Sequence, residues 1–178
     1  DLSALLRQRI TSQLEDDGYA TDLVQAVAGD TVSTTRLLRD PLDVRVRIQL
    51  LRGLRDQGRL TAVQAVVQRA SRLAEKGDLP LEVLSSTEVV DPSRFESASE
   101  KGLFNATKRL NPLAERGAYQ ELCDVLVEST PALEAFFDGD QSVMVMADDP
   151  ALRMNRLNLL GVLRNQAAVF AQFELIQS

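Results

Sequence analysis

The sequence predicts an all-α fold, and three observations carry that prediction. Apolar residues make up 44% of the 178, yet aromatics are only 4% and tryptophan is absent. Leucine, valine and alanine must then supply most of the core, which favours packed helices over a β-sandwich. Apolar positions recur at three- and four-residue steps in segment after segment. Proline also follows a capping residue at Asp40-Pro41, Asp91-Pro92, Thr130-Pro131 and Asp149-Pro150, as it does in the first turn of a helix.

The elements follow in order. Asp1 to Asp17 reads as a helix with Leu2, Leu5, Leu6, Ile10 and Leu14 on its apolar side, ended by Gly18. Thr21 is placed to cap a short second helix, Asp22 to Ala28, before Gly29. Residues 30–39 read as a loop. A helix starting at Asp40-Pro41 runs to about Gln57 with Val44, Ile48, Leu51 and Leu54 inward, and Gly58 breaks it. Thr61 is expected to cap the next, whose face is Val63, Val66, Val67, Ala70 and Ala74, closed by Gly77. After an irregular stretch over 78–91, a helix is expected from Asp91-Pro92 to about Leu110, interrupted at Asn111-Pro112. Another spans Ala118 to Glu128, and a short one starts at Thr130-Pro131. Residues 138–147 read as a loop, and the last helix runs from Asp149-Pro150 to about Phe173.

Composition excludes much chemistry. The chain has no histidine, which rules out Ser-His-Asp triads, His-activated thiols and His-ligated metals within it. One cysteine, Cys123, allows neither an internal disulfide nor a thiolate zinc site, and it fits a reducing cytosol. No catalytic residue and no metal ligand set is assigned. No run approaches the length of a membrane span, and the N-terminus lacks a secretory signal pattern. A start at Asp1 rather than Met points to a fragment of a longer chain.

The net charge of −6 hides an uneven distribution. Residues 36–72 carry nine Arg against three acids, whereas residues 73–149 carry six basic and sixteen acidic residues. Screening confines a surface field to about 8–10 Å at physiological salt, so the local sign matters more than the total for an approaching polyanion.

Near the C-terminus stand Phe136-Phe137-Asp138, then Val143-Met144-Val145-Met146-Ala147-Asp148-Asp149, then Leu152-Arg153-x-Asn155-Arg156-Leu157-x-Leu159-Leu160. This run resembles the C-terminal signature of the β subunit of bacterial two-subunit glycyl-tRNA synthetases. Gly18-Tyr19 with Asp22 to Val27, the trio Asp43, Arg47 and Leu51, and Gln68-Arg69-Ala70-Ser71-Arg72-Leu73 resemble further stretches of that family. Two departures are an apparent insertion at Gly139-Asp140-Gln141-Ser142 and Arg72, where the family usually has asparagine. The Asp149-Pro150-Ala151-Leu152-Arg153 portion is also similar to a wider group of helical anticodon-binding domains, including that of arginyl-tRNA synthetase. The resemblance implies that residues 1–178 form one all-helical bundle of the DALR anticodon-binding type, the C-terminal part of a longer cytoplasmic subunit. It further implies glycine tRNA and an α subunit as partners. The parent ligase would use ATP, with the activation site on the α subunit and no cofactor in this fragment.

Candidate contacts follow from side-chain chemistry. Guanidinium groups bind phosphate bidentately and stack on unpaired bases. Arg69 and Arg72 lie off the apolar face of their helix and are RNA candidates; Arg47 lies beside its helix's apolar face, which leaves both a structural and an RNA role open. Lys108 and Arg109 are read as ending a helix, where they either complement its dipole or meet RNA. Asn155, flanking the last helix's apolar stripe, could read a base edge. Tyr19 and Tyr119 could stack on bases but suit the core, and Met144 and Met146 read as core filler. Arg156 falls in the middle of the stripe Leu152, Leu159, Leu160, Leu163, Ala167 and Phe170. A charge there must be paired, and Asp148 and Asp149 are the expected partners. Beside the tRNA-recognition reading stands a second: a helical module whose acidic 73–149 segment docks a partner subunit.

Overall fold

The computed structural model describes residues 1–178. Nine α-helices follow one another, and no strand forms. They are α1 (Leu2–Asp16), α2 (Thr21–Ala28), α3 (Thr34–Arg39), α4 (Pro41–Asp56), α5 (Leu60–Ala74), α6 (Ser86–Val89), α7 (Ala98–Arg116), α8 (Tyr119–Phe137) and α9 (Pro150–Ala168). Single 3₁₀ turns occur at Pro92–Arg94 and Phe173–Leu175. No helix is long and apolar enough to cross a membrane.

The capping chemistry explains most of the starts. The carboxylates of Asp1, Asp40 and Asp149 accept from the backbone N–H two residues on, at 3.0, 3.0 and 2.9 Å. Two of the four capped prolines, Pro41 and Pro150, open α-helices as expected. The other two do not. Asp91-Pro92 starts only a 3₁₀ turn, and α7 begins six residues later at the capping box of Ser97 and Glu100. Thr130-Pro131 lies inside α8, and Pro112 lies inside α7, so neither splits its helix. An interior proline costs about 3 kcal/mol. Here α7 and α8 pack along one another with Leu103, Leu110, Leu122, Leu126 and Leu133 all buried between or beneath them, and tertiary burial outweighs that cost. Gly117, at φ +65°, makes the tight left-handed turn that joins the pair.

Smaller corrections have similar causes. The expected loop at 30–39 contains α3. α2 begins at Thr21 itself and α5 at Leu60, and neither is closed by a threonine side-chain cap. The Arg7 guanidinium orders the α2–α3 connection through the carbonyl oxygens of Ala28, Gly29 and Val32 and the Thr34 hydroxyl.

The core is one cluster reaching from Leu14 to Ile176. Its axis is α9, which packs against α5, α6 and α7. α9 is not amphipathic as its stripe implied. Leu157, Val162 and Gly161 are buried as well as Leu159, Leu160 and Leu163, so the helix is enclosed nearly all round. Its polar side chains are therefore consumed inside: Gln166 donates to the Thr107 carbonyl at 2.9 Å, and Asn165 to the carbonyls of Pro80 and Glu82, both at 2.7 Å.

Candidate recognition cleft

The basic block does not assemble into a continuous cationic face. Arg45 pairs with Asp17 at 2.6 Å, Arg55 takes both oxygens of Asp22 at 3.0 and 2.6 Å, and Arg69 takes both oxygens of Asp138 at 3.0 and 2.8 Å. Arg36 bonds the Tyr119 hydroxyl and the Val169 carbonyl and lies 3.7 Å from Asp43. Arg52 stacks on the Tyr19 ring at 4.5 Å. The acids that neutralise these arginines come from helices remote in sequence, so a count along the chain overstates the field that reaches solvent.

The side chains expected to meet RNA divide accordingly. Arg47 is completely buried: its Nε and Nη2 lie 2.9 and 2.8 Å from Asp43, and it donates to the carbonyls of Phe170 and Val27. It is a core cross-link with no surface to offer. Burial lowers its pKa, nearby Arg36 adds to that, and Asp43 opposes both. Asn155 is buried as well. Its carbonyl accepts from the Asp91 N–H at 2.7 Å and its amide donates to the Asp91 carbonyl at 3.0 Å, so the edge that would read a base is already used on backbone. Lys108 and Arg109 stand in the middle of α7, because that helix continues to Arg116. Arg109 pairs with Glu128 at 2.8 Å, and Lys108 lies over the Phe104 ring. Arg69, half exposed, pairs with Asp138 and stacks on Phe137 at 4.6 Å. Arg72 is exposed and has no partner in the protein.

Arg156 is locked by a pair, but not the expected one. Its Nε donates to Glu100 at 2.9 Å, Nη2 to Glu96 at 3.0 Å and Nη1 to the Met144 carbonyl at 2.9 Å. Asp149 instead caps α9, and Asp148 is exposed. The Val143–Met146 run is thereby pinned by its backbone, which leaves Met144 73% and Met146 42% exposed rather than in the core. Tyr19 is buried, and Tyr119 donates its hydroxyl to Asp43.

The largest concavity, about 520 Å³, lies between α3, α5, α9 and the 78–84 connection. Its walls include Arg36, Ser71, Glu75, Glu82, Arg164 and Glu174. Asn165 holds one wall through the Pro80 and Glu82 carbonyls, and Arg164 Nη2 holds the Leu79 carbonyl at 3.1 Å. Gly161 lets this connection approach α9, since a Cβ there would sit 2.8 Å from a Leu79 methyl. The Ser71 hydroxyl is buried in the cleft wall without any partner. Burial lowers the Arg164 pKa, and the carboxylates of Glu75 and Glu174 pull it back up. At 100° per residue, Arg72 shares the face of α5 that carries Ser71 and Glu75, so the unpaired arginine stands beside this opening. The sequence reading missed the cleft because its wall at 78–84 is brought to α9 over more than eighty residues of separation.

Fold and cleft together define an all-helical module with a polar, ligand-sized groove. Relatives specify the family. A Picosynechococcus sp. protein is 45% identical over 181 residues that take in 98% of this chain, one from Acaryochloris marina 43% over 175 residues and 95%, and one from Sodalis glossinidius 32% over 178 residues and 99%. Each is named glycine--tRNA ligase beta subunit, and the chain spans about a quarter of their length. No protein-family profile matches. The chain belongs to the glycine--tRNA ligase beta-subunit family and corresponds to the C-terminal part of its relatives.

Proposed function

We propose that this chain recognises the anticodon arm of glycine tRNA for a cytoplasmic, ATP-using glycyl-tRNA synthetase whose α subunit carries the activation site. The observation that carries the reading is homology to beta subunits of that ligase over 95–98% of the chain. The cleft supports it physically, with exposed Arg72 beside a groove of mixed donors and acceptors. Recognition of unpaired bases uses such edges and planes, whereas phosphate contacts supply affinity. The reading does not need a broad basic surface, and a protein of net charge −6 with most of its arginines paired should bind with few phosphate contacts.

Titration of the chain with glycine tRNA and with an anticodon-substituted version, at two salt concentrations, tests this. We expect weaker binding to the substituted tRNA and a shallow salt dependence. Equal affinity for both RNAs defeats the reading.

A second reading, docking of the α subunit, is favoured by one feature: Leu2 and Leu5 of α1 and Leu42 of α4 are 70%, 55% and 70% exposed. Crosslinks from α1 to an α subunit in the absence of RNA support it, and their absence in the assembled enzyme removes it.

A further inference from the structure

We propose that the cleft between α3, α5, α9 and residues 78–84 receives one unpaired cytosine of the RNA loop. Its exocyclic amino group would face the Glu75 and Glu174 carboxylates, and its carbonyl edge would face Arg164. This deepens the tRNA reading and rests on it.

The cleft is supplied with unused polar groups. The Ser71 hydroxyl is buried and unpartnered, and a buried hydroxyl without a bond is a cost that a ligand removes. Arg164 is fixed through Nε on Asn165 and Nη2 on Leu79, and its Nη1 has no partner. The carboxylates of Glu75, Glu82 and Glu174 form no ion pair or hydrogen bond with the rest of the protein. Glu75 and Glu174 nevertheless lie close enough to Arg164 to raise its proton affinity.

The sign of this lining selects the ligand. Three carboxylates face two guanidiniums, so the groove repels a phosphate, and no cluster of acidic or thiol groups suited to a metal ion occurs. A neutral group with donors on one side and acceptors on the other fits the charge pattern. Cytosine has that edge: its N4 amino group donates to a carboxylate, and its N3 and O2 accept from a guanidinium. Uracil places an oxygen where the amino group stood and would oppose a carboxylate. Glycine codons begin with two guanines, so glycine anticodons present cytosines for this purpose. Arg72, exposed on the same face of α5, stands where a flanking phosphate would run.

The test is a double-mutant cycle between base and protein. The chain and its Glu75→Ala/Glu174→Ala variant are titrated with an RNA stem–loop bearing the glycine anticodon and with versions carrying uracil at each cytosine. Both glutamates are exposed and unpaired, so the variant should melt as the parent does. Removing two acids also strengthens RNA binding in general, and the cytosine-to-uracil ratio cancels that effect. In the parent one cytosine should be preferred over uracil by roughly tenfold or more, and in the variant by about twofold or less. A preference that survives unchanged in the variant overturns the cleft assignment and leaves anticodon recognition standing. An absence of cytosine preference in the parent overturns both.

Discussion

Replacing Arg156 by methionine should be among the most damaging single changes available, and the structure says why. Glu100 is fully buried, and its two oxygens are divided between two tasks. One accepts from Arg156 Nε at 2.9 Å, and the other accepts the backbone N–H groups of Glu96 and Ser97 at 2.7 and 2.9 Å. Methionine keeps much of the arginine volume but leaves the carboxylate in the core with only its capping bonds. Removing one member of a buried pair costs about 3–5 kcal/mol. For a chain of this length that corresponds to a fall in melting temperature of roughly 6–20 °C. The partner change Glu100→Gln keeps the capping-box oxygen but turns an amide N–H toward the Arg156 N–H, donor against donor, and should also destabilise. The double variant carries neither charge and retains the cap, so it should be more stable than Arg156→Met alone. Urea melts of the four proteins measure this cycle. If Arg156→Met costs less than about 1 kcal/mol, or if the double variant loses the sum of the two singles, the buried pair is not the unit of stability described.

Other expectations follow from the same contacts. Arg47→Ala should lower stability by about 3 kcal/mol or more, whereas Arg69→Ala, breaking an exposed pair, should stay within about 1 kcal/mol; parallel denaturation curves compare them. Arg72→Ala should leave the melting temperature unchanged and weaken tRNA binding at all anticodons alike, with a salt slope smaller by about one contact; an unchanged affinity removes Arg72 from the interface. The hydrogen bond from Arg55 holds the Asp22 carboxyl below its ordinary value of 3.8. Because the folded value is the lower one, this contribution is complete above the unfolded carboxyl pKa and is lost as pH falls through the folded one. Asp22→Asn should therefore be less stable near neutrality and flatten the decline below about pH 4, as melts across pH would register. Burial pushes the Cys123 thiol up to about 12, so it should resist a thiol reagent at pH 8 until the chain unfolds. Rapid labelling of the native protein would contradict that placement.

Most of the helical plan was legible because it rests on local rules. Gly18, Gly58 and Gly117 mark stops or tight turns at positive φ, and Asp40 and Asp149 cap as their side chains allow. The prolines show the limit of local rules. Thr130-Pro131 has the same local appearance as Asp149-Pro150, yet it lies within α8, because the apolar surface buried between α7 and α8 exceeds what an interior proline costs. The family signature likewise located Arg156 and Asn155 without assigning their partners.

What the sequence by itself determined is the helical class, the bulk of the core and the lack of histidine or paired-thiol chemistry, all of which depend on residue type and short spacing. Tertiary structure alone decided which charges stay available. Arg47, Arg55, Arg69 and Arg156 find carboxylates on nearby or distant segments, while Arg72 and the cleft beside it remain unpaired. An ion pair depends on a separation of a few ångströms in space, and the chain's folding, not its order, sets that separation.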